Sequence, residues 1–326
     1  MCLSVARLLF NSSVVGIQSL QPNLVSFNAA ISACEAAGEW QVALCLLACI
    51  AVSSHKADLL TYNSLISALG RGEQWQLALL FLHGFLPQAG LTPDVFSFTA
   101  AISAMEKAAN GDQALALLAC AKRILPEGPN MVLYSAVISA CEKSKQWPEA
   151  LALLFEAREE ALQTSLVAYN SALSACEKGC QWETALLLLF QLDEVLLQPD
   201  VVTCSAAISS CESSRHWEMA LILFTSFREQ TSPDVIIYGS IIAACEKGKA
   251  WQEAFLLFQY MLEDALRPDI IICNALISSC YMSARWSVAM RALQTLQDLL
   301  LQASVAWRHS QIMFFFRTAD REPHVT

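Results

Sequence analysis

Long uninterrupted hydrophobic runs are missing from a chain that is nevertheless 55% hydrophobic, with a mean hydropathy of +0.43. The apolar stretch ending at Val52 reaches only about half of the ~20 residues that a membrane-spanning helix needs. Polar residues interrupt the other candidates, so no membrane partner is expected and the apolar excess must go into internal interfaces. Positive charge is scarce as well: 20 Lys and Arg stand against 30 Asp and Glu, a formal charge of −10. That balance excludes a general nucleic-acid binder held mainly by phosphate contacts, but not one that reads bases. Histidine is rare, with five scattered copies, and there is no Cys-x-x-Cys pair, so no zinc site is expected. Deaminase and His-Glu-x-x-His signatures and phosphate-binding Gly-rich loops are also missing. Neither an enzyme, a cofactor nor a small-molecule substrate is expected.

Thirteen cysteines would be many for a secreted disulfide scaffold. Six of them, however, recur at one position per repeating unit: Cys34, Cys141, Cys176, Cys211, Cys245 and Cys280. Such a series reads as small buried packing residues in a reducing compartment. The segment Met1 to Gly16 has one Arg and lacks the basic start and cleavage site of a secretory signal; it is also poor in Arg for an organelle transit peptide. Ser4 to Phe10 resembles the second helix of a repeat whose first helix is missing, which fits a fragment or an array that begins mid-repeat.

The repeat itself is plain once the chain is aligned to itself. An aromatic or Cys stands at Phe27, Tyr62, Phe98, Tyr134, Tyr169, Cys204, Tyr238 and Cys273, at intervals of 34 to 36 residues. Four residues later comes Ile31, Ile66, Ile102, Ile138, Leu173, Ile208, Ile242 or Ile277, and three further on the Cys position. Apolar residues at i, i+4 and i+7 define one face of a first helix, A. Trp40, Trp75, Trp147, Trp182, Trp217, Trp251 and Trp286 then open a second helix, B, with Gly111 in that place once. An alanine follows three residues after each: Ala43, Ala78, Ala114, Ala150, Ala185, Ala220, Ala254 and Ala289. An unvarying Ala implies two closely approaching backbones, and the Trp on the same face reads as packing rather than as a platform for bases. Units end at Pro93-Asp94, Pro129-Asn130, Pro199-Asp200, Pro233-Asp234 and Pro268-Asp269, where Pro stops the helix. Ser26, Thr61, Ser97 and Thr203 are placed to cap the next A helix. Period-2 strand signals are lacking. The expected fold is all-α, a right-handed α-α superhelical solenoid of helical hairpins with a concave groove.

The period near 35, the run Val167-Ala168-Tyr169-Asn170-Ser171-Ala172-Leu173 at the start of a unit and the Pro-Asp endings resemble the pentatricopeptide-repeat family. Tetratricopeptide repeats share the period but open on a Trp-x-x-Leu-Gly-x-x-Tyr pattern that has no match here. The resemblance runs from 24 to 304 as eight units: 24–58, 59–94, 95–130, 131–165, 166–200, 201–234, 235–269 and 270–304. Residues 1–23 form a partial repeat before them and 305–326 a tail with Trp307 and Met313-Phe314-Phe315-Phe316.

What the resemblance implies is a single-stranded RNA partner, read at one base per repeat by two side chains. Carried onto this sequence, the pairs are Asn28 with Asp58, Asn63 with Asp94, Thr99 with Asn130, Ser135 with Ser165, Asn170 with Asp200, Ser205 with Asp234, Gly239 with Asp269, and Asn274 with Ser304. Their amides, hydroxyls and carboxylates can complement Watson–Crick edges, although Asn and Asp also suit turns and helix starts. The family's code gives 5′-U-U-A-n-U-G-n-(C). Base-sandwiching positions fall on Val25, Leu60, Phe96, Val132, Val167, Val202, Ile236 and Ile271, which would equally suit a helix start packed on its neighbour. Phosphate positions fall on Arg71, Lys107, Lys143, Lys178 and Lys247, four of them preceded by Glu; cations near a helix C-terminus also match its dipole. The family works mostly in mitochondria or chloroplasts, in RNA processing, stability or translation, alongside other RNA-processing proteins. The rival class is a protein-binding scaffold that takes a peptide or helix in its groove.

Overall fold

Each of the first seven units folds as the periodicities dictate, as a pair of antiparallel helices joined by a tight turn. The computed structural model describes residues 23–282 apart from 54, 196 and 231. The helix-B remnant before residue 23, Trp286, Ala289, Ser304 and the 305–326 tail lie outside the described residues. The A helices are α1 (Leu24–Ala37), α3 (Leu59–Arg71), α6 (Val95–Lys107), α8 (Met131–Lys143), α10 (Leu166–Lys178), α12 (Val201–Ser213), α14 (Val235–Lys247) and α16 (Ile270–Met282). The B helices are α2 (Trp40–Val52), α4 (Trp75–Leu80) continuing through a π-turn (Phe81–Phe85) into α5 (Leu86–Gln88), α7 (Gly111–Ile124), α9 (Trp147–Glu159), α11 (Trp182–Glu194), α13 (Trp217–Gln230) and α15 (Trp251–Glu263). No strand occurs among the described residues.

Residues to Ser210 form one compact unit and those from Cys211 a second. In the first, α1, α3, α6 and α8 each pack on the A helix of the next repeat, and α3, α6, α8 and α10 each pack on both flanking B helices. In the second, α14 packs on α13, α15 and α16. The A-helix face is buried as its spacing requires: Tyr134, Ile138 and Cys141 are wholly enclosed, as are Tyr238, Ile242 and Cys245. Burial pushes the thiols of Cys141 and Cys245 up to about 12, so they behave as small apolar residues. Ala43, Ala78, Ala114, Ala150, Ala185, Ala220 and Ala254 have no exposed surface.

Two local features depart from the sequence expectation. The capping side chains sit three residues before the hydroxyls expected to cap: Asn23, Asp58, Asp94 and Asp200 accept the backbone N–H of Ser26, Thr61, Ser97 and Thr203. The carboxylate or amide just before the helix reaches the third helical N–H, and Thr61 and Ser97 supply the reciprocal half of a capping box to Asp58 and Asp94. Next, the 36-residue second unit absorbs extra length as the π-turn at Phe81–Phe85, which keeps Ala78 and Leu86 both buried.

Candidate nucleic-acid interface

Capping places the last residue of one repeat beside the first helical turn of the next, and that brings several of the paired positions together across repeats. Asn28 Nδ2 donates to both carboxylate oxygens of Asp58 at 3.2 and 3.3 Å. Asn63 Nδ2 reaches Asp94 at 3.1 Å and Asn170 Nδ2 reaches Asp200 at 3.2 Å. Ser135 and Ser165 hydroxyls meet at 3.5 Å. Thr99 and Asn130 are not hydrogen-bonded to each other: Thr99 donates back to the Val95 carbonyl and Asn130 caps α8 through Leu133 N–H. Ser205 lies half-buried on α12, and Asp234 caps α14 through Ile237 N–H. Gly239 brings no polar side chain beside Asp269, which caps α16 through Ile272 N–H. Asn274 is exposed on α16. Burial would raise the Asp58 carboxyl, but hydrogen bonds from the Thr61 hydroxyl and amide and from Asn28 outweigh it and hold the carboxyl below its ordinary value. Asp200 is held down in the same way by Thr203 and Asn170 against its burial.

The second positions separate two readings that the sequence leaves open. Val25, Leu60, Phe96, Val132, Val167, Val202, Ile236 and Ile271 are each between 59% and 75% exposed. A helix start packed on its neighbour would bury them. Each stands three residues before the fifth-position residue of its own repeat, so every repeat offers a bare apolar side chain beside that position. Isolated exposed apolar residues need no explanation, but eight at one repeat position are a pattern.

The cations make a ladder between repeats. Lys143 binds Glu106 at 2.8 Å, Lys178 binds Glu142 at 2.9 Å, Lys247 binds Glu212 at 2.9 Å, and Arg71 lies 3.9 Å from Glu35. In each case the acid comes from the preceding repeat, not from the residue next in sequence. Lys107 has no ion pair among the described residues, because Gly70 occupies the place of the acid. Gly70 is there for packing: a Cβ on it would come 3.1 Å from Ala104 Cβ of the next A helix.

A contact that sequence reading missed locks one hairpin to the next. The Trp that opens helix B lies against the glycine ending the following A helix: Trp40 on Gly72, Trp147 on Gly179 and Trp217 on Gly248. Small residues recur at that place, and this was the signal available.

Residues 227–282 match the family model described as Pentatricopeptide repeat domain, and residues 60–84 and 132–161 match PPR repeat. No curated protein matches the chain in sequence. Among solved structures, the pentatricopeptide repeat protein PPR10 in complex with an 18-nt psaJ RNA element has a TM-score of 0.72 at 19% identity, covering 91% of this chain and 42% of that one. PPR10 from maize has a TM-score of 0.59 at 17% identity, covering 90% of this chain and 46% of that one. The chain thus spans less than half the length of the PPR10 chains. The fold is that of a helical-hairpin solenoid. The segments 60–84, 132–161 and 227–282 are the ones that match pentatricopeptide repeats in sequence.

Proposed function

We propose that this chain binds single-stranded RNA, one base per repeat, with bases held between the exposed second-position side chains and read by the paired residues at the fifth and last positions. The observation that carries the reading is the row of eight exposed apolar residues, one at the start of each repeat. Apolar platforms flanking amides, hydroxyls and carboxylates suit unstacked bases, which offer both a π-face and a hydrogen-bonding edge. PPR10, with the same fold, was crystallised with an RNA element. The base-reading set is Asn28 with Asp58, Asn63 with Asp94, Thr99 with Asn130, Ser135 with Ser165, Asn170 with Asp200 and Ser205 with Asp234, with Asp269 and Asn274 beyond. Occupying a transcript in this way, in organellar RNA processing, stability or translation, requires no chemistry from the chain itself.

One observation favours a second reading. Four of the five cations assigned to phosphate are paired with acids, and a net charge of −10 suits a basic peptide. Fluorescence anisotropy separates the two. The chain is expected to bind 5′-UUAAUGAC-3′ about tenfold more tightly, ~1.4 kcal/mol, than a scrambled RNA. Failure to bind any RNA at micromolar protein, with helicity intact and a Lys-rich peptide bound instead, overturns the RNA reading.

A further inference from the structure

The repeats read by Asn28, Asn63 and Asn170 share a group that the base-reading pairs do not include. Thr61, Ser97 and Thr203, each fully buried, sit at the third position of the following repeat. Their hydroxyls donate to the side-chain carbonyls of Asn28, Asn63 and Asn170 at 2.6, 2.6 and 2.7 Å. Each hydroxyl oxygen accepts in turn from the backbone N–H of Asp58, Asp94 or Asp200.

The chemistry of the partners fixes the orientation. A carboxylate only accepts, so the Asn atom facing it is Nδ2. Two oxygens 2.6 Å apart attract only with the hydroxyl proton between them. The same hydroxyls lie 2.7 to 2.8 Å from a carboxylate oxygen, but that oxygen already accepts a backbone N–H, whereas the Asn carbonyl has no other donor among the described residues. Each Asn amide is therefore held at both ends. Its carbonyl is spent on the hydroxyl, and one N–H of Nδ2 remains for a ligand.

Where the fifth position is not Asn, the third position of the following repeat carries no hydroxyl. Thr99 is followed at the next third position by Leu133, Ser135 by Ala168, Ser205 by Ile237 and Gly239 by Ile272. In Thr99 and Ser135 the hydroxyl proton goes to the carbonyls of Val95 and Met131 at 2.7 and 2.8 Å, which leaves oxygen lone pairs for a ligand.

We propose that Thr61, Ser97 and Thr203 are positioning residues that fix the polarity of the neighbouring Asn, so that the first, second and fifth repeats present a donor and select a base with a carbonyl facing it. The third and fourth repeats present an acceptor and suit a base with an amino group. The proposal rests on the RNA reading above and adds to it a third residue per repeat.

The experiment compares 5′-UUAAUGAC-3′ with 5′-UCAAUGAC-3′ on the full chain and on Ser97→Ala and Ser97→Thr. The unmodified chain and Ser97→Thr are expected to prefer uracil at the second base about tenfold, ~1.4 kcal/mol. In Ser97→Ala the Asn63 amide, still tied to Asp94 through Nδ2, is free to pivot on that contact and turn its stranded carbonyl toward the cytosine amino group, and the preference is expected to fall to about threefold or less. An unchanged ratio in folded Ser97→Ala, or an equal loss in Ser97→Thr, overturns the proposal. If the unmodified chain binds no RNA, the RNA reading fails and the clamp is judged in the free protein by hydrogen exchange of the Asn63 side-chain amide. Slower exchange than in Ser97→Ala upholds the clamp, and equal exchange overturns it.

Discussion

Gly179 does its work by having no side chain. A methyl there would overlap Trp147 Cδ1, with Gly72 against Trp40 and Gly248 against Trp217 in the same relation. Overpacking a contact of this kind costs about 1–3 kcal/mol. Gly179→Ala is expected to lower stability by that amount in urea unfolding, and an unshifted midpoint would show that the Trp is free to move aside. Asp58 acts by contrast through its charge and its acceptors. Removing a cap costs about 1 kcal/mol, so Asp58→Ala should be destabilised by that much at pH 7. Because the folded carboxyl sits below its ordinary value, its contribution is present above the unfolded value of ~3.9 and disappears as pH falls through the folded value. The gap between Asp58→Ala and the unmodified chain should therefore close below about pH 4. A gap constant with pH would rule out the carboxylate as its source.

At the scale of the helix, the ladder of ion pairs sets how the protein uses salt. Exposed pairs of this kind contribute little to stability, in the range of about 0–1 kcal/mol each. Their larger effect is to occupy cations that could otherwise meet phosphate. Lys107 is the one member of the set without an ion pair among the described residues, so RNA affinity should fall only about threefold between 50 and 200 mM salt, given a slope of about −0.7 per contact. Replacing Glu106 and Glu142 together by Gln frees Lys143 and Lys178, and should tighten binding at low salt and steepen that slope. If the slope stays the same, the freed cations do not touch the ligand. The helix is also where legibility in the sequence ends. The two helices of each unit follow from apolar residues at i, i+4 and i+7 and from the Trp-x-x-Ala series. The caps fall three residues from their expected places because Asp58 and Thr61 are both good capping types, and only the backbone direction at the helix start separates them. The partner of Lys178 was not legible either: Glu177 is next in sequence, but successive residues on a helix point about 100° apart, and the acid within reach is Glu142 of the preceding A helix.

For the molecule as a whole, stability in a repeat array is the sum of units and of the interfaces between neighbours, and function follows the same one-dimensional logic. The pairing of fifth and last positions is what the family resemblance implies, and the structure brings Asn28 to Asp58, Asn63 to Asp94 and Asn170 to Asp200. The exposure of Val25 and its counterparts was not legible, since an apolar residue at a helix start suits a buried contact as well as a base. The Ser and Thr that orient the asparagines are visible in the sequence but read there as caps, because their second partner lies a whole repeat away. The central claim is that each repeat addresses one base independently. The most direct measurement is anisotropy with Asn63→Thr combined with Asp94→Asn, titrated against the four RNAs that differ only at the second base of 5′-UUAAUGAC-3′. The expected result is a switch of preference at that base from uracil to adenine, by about tenfold or ~1.4 kcal/mol, with the other positions unaffected. An equal loss of affinity for all four RNAs would contradict it.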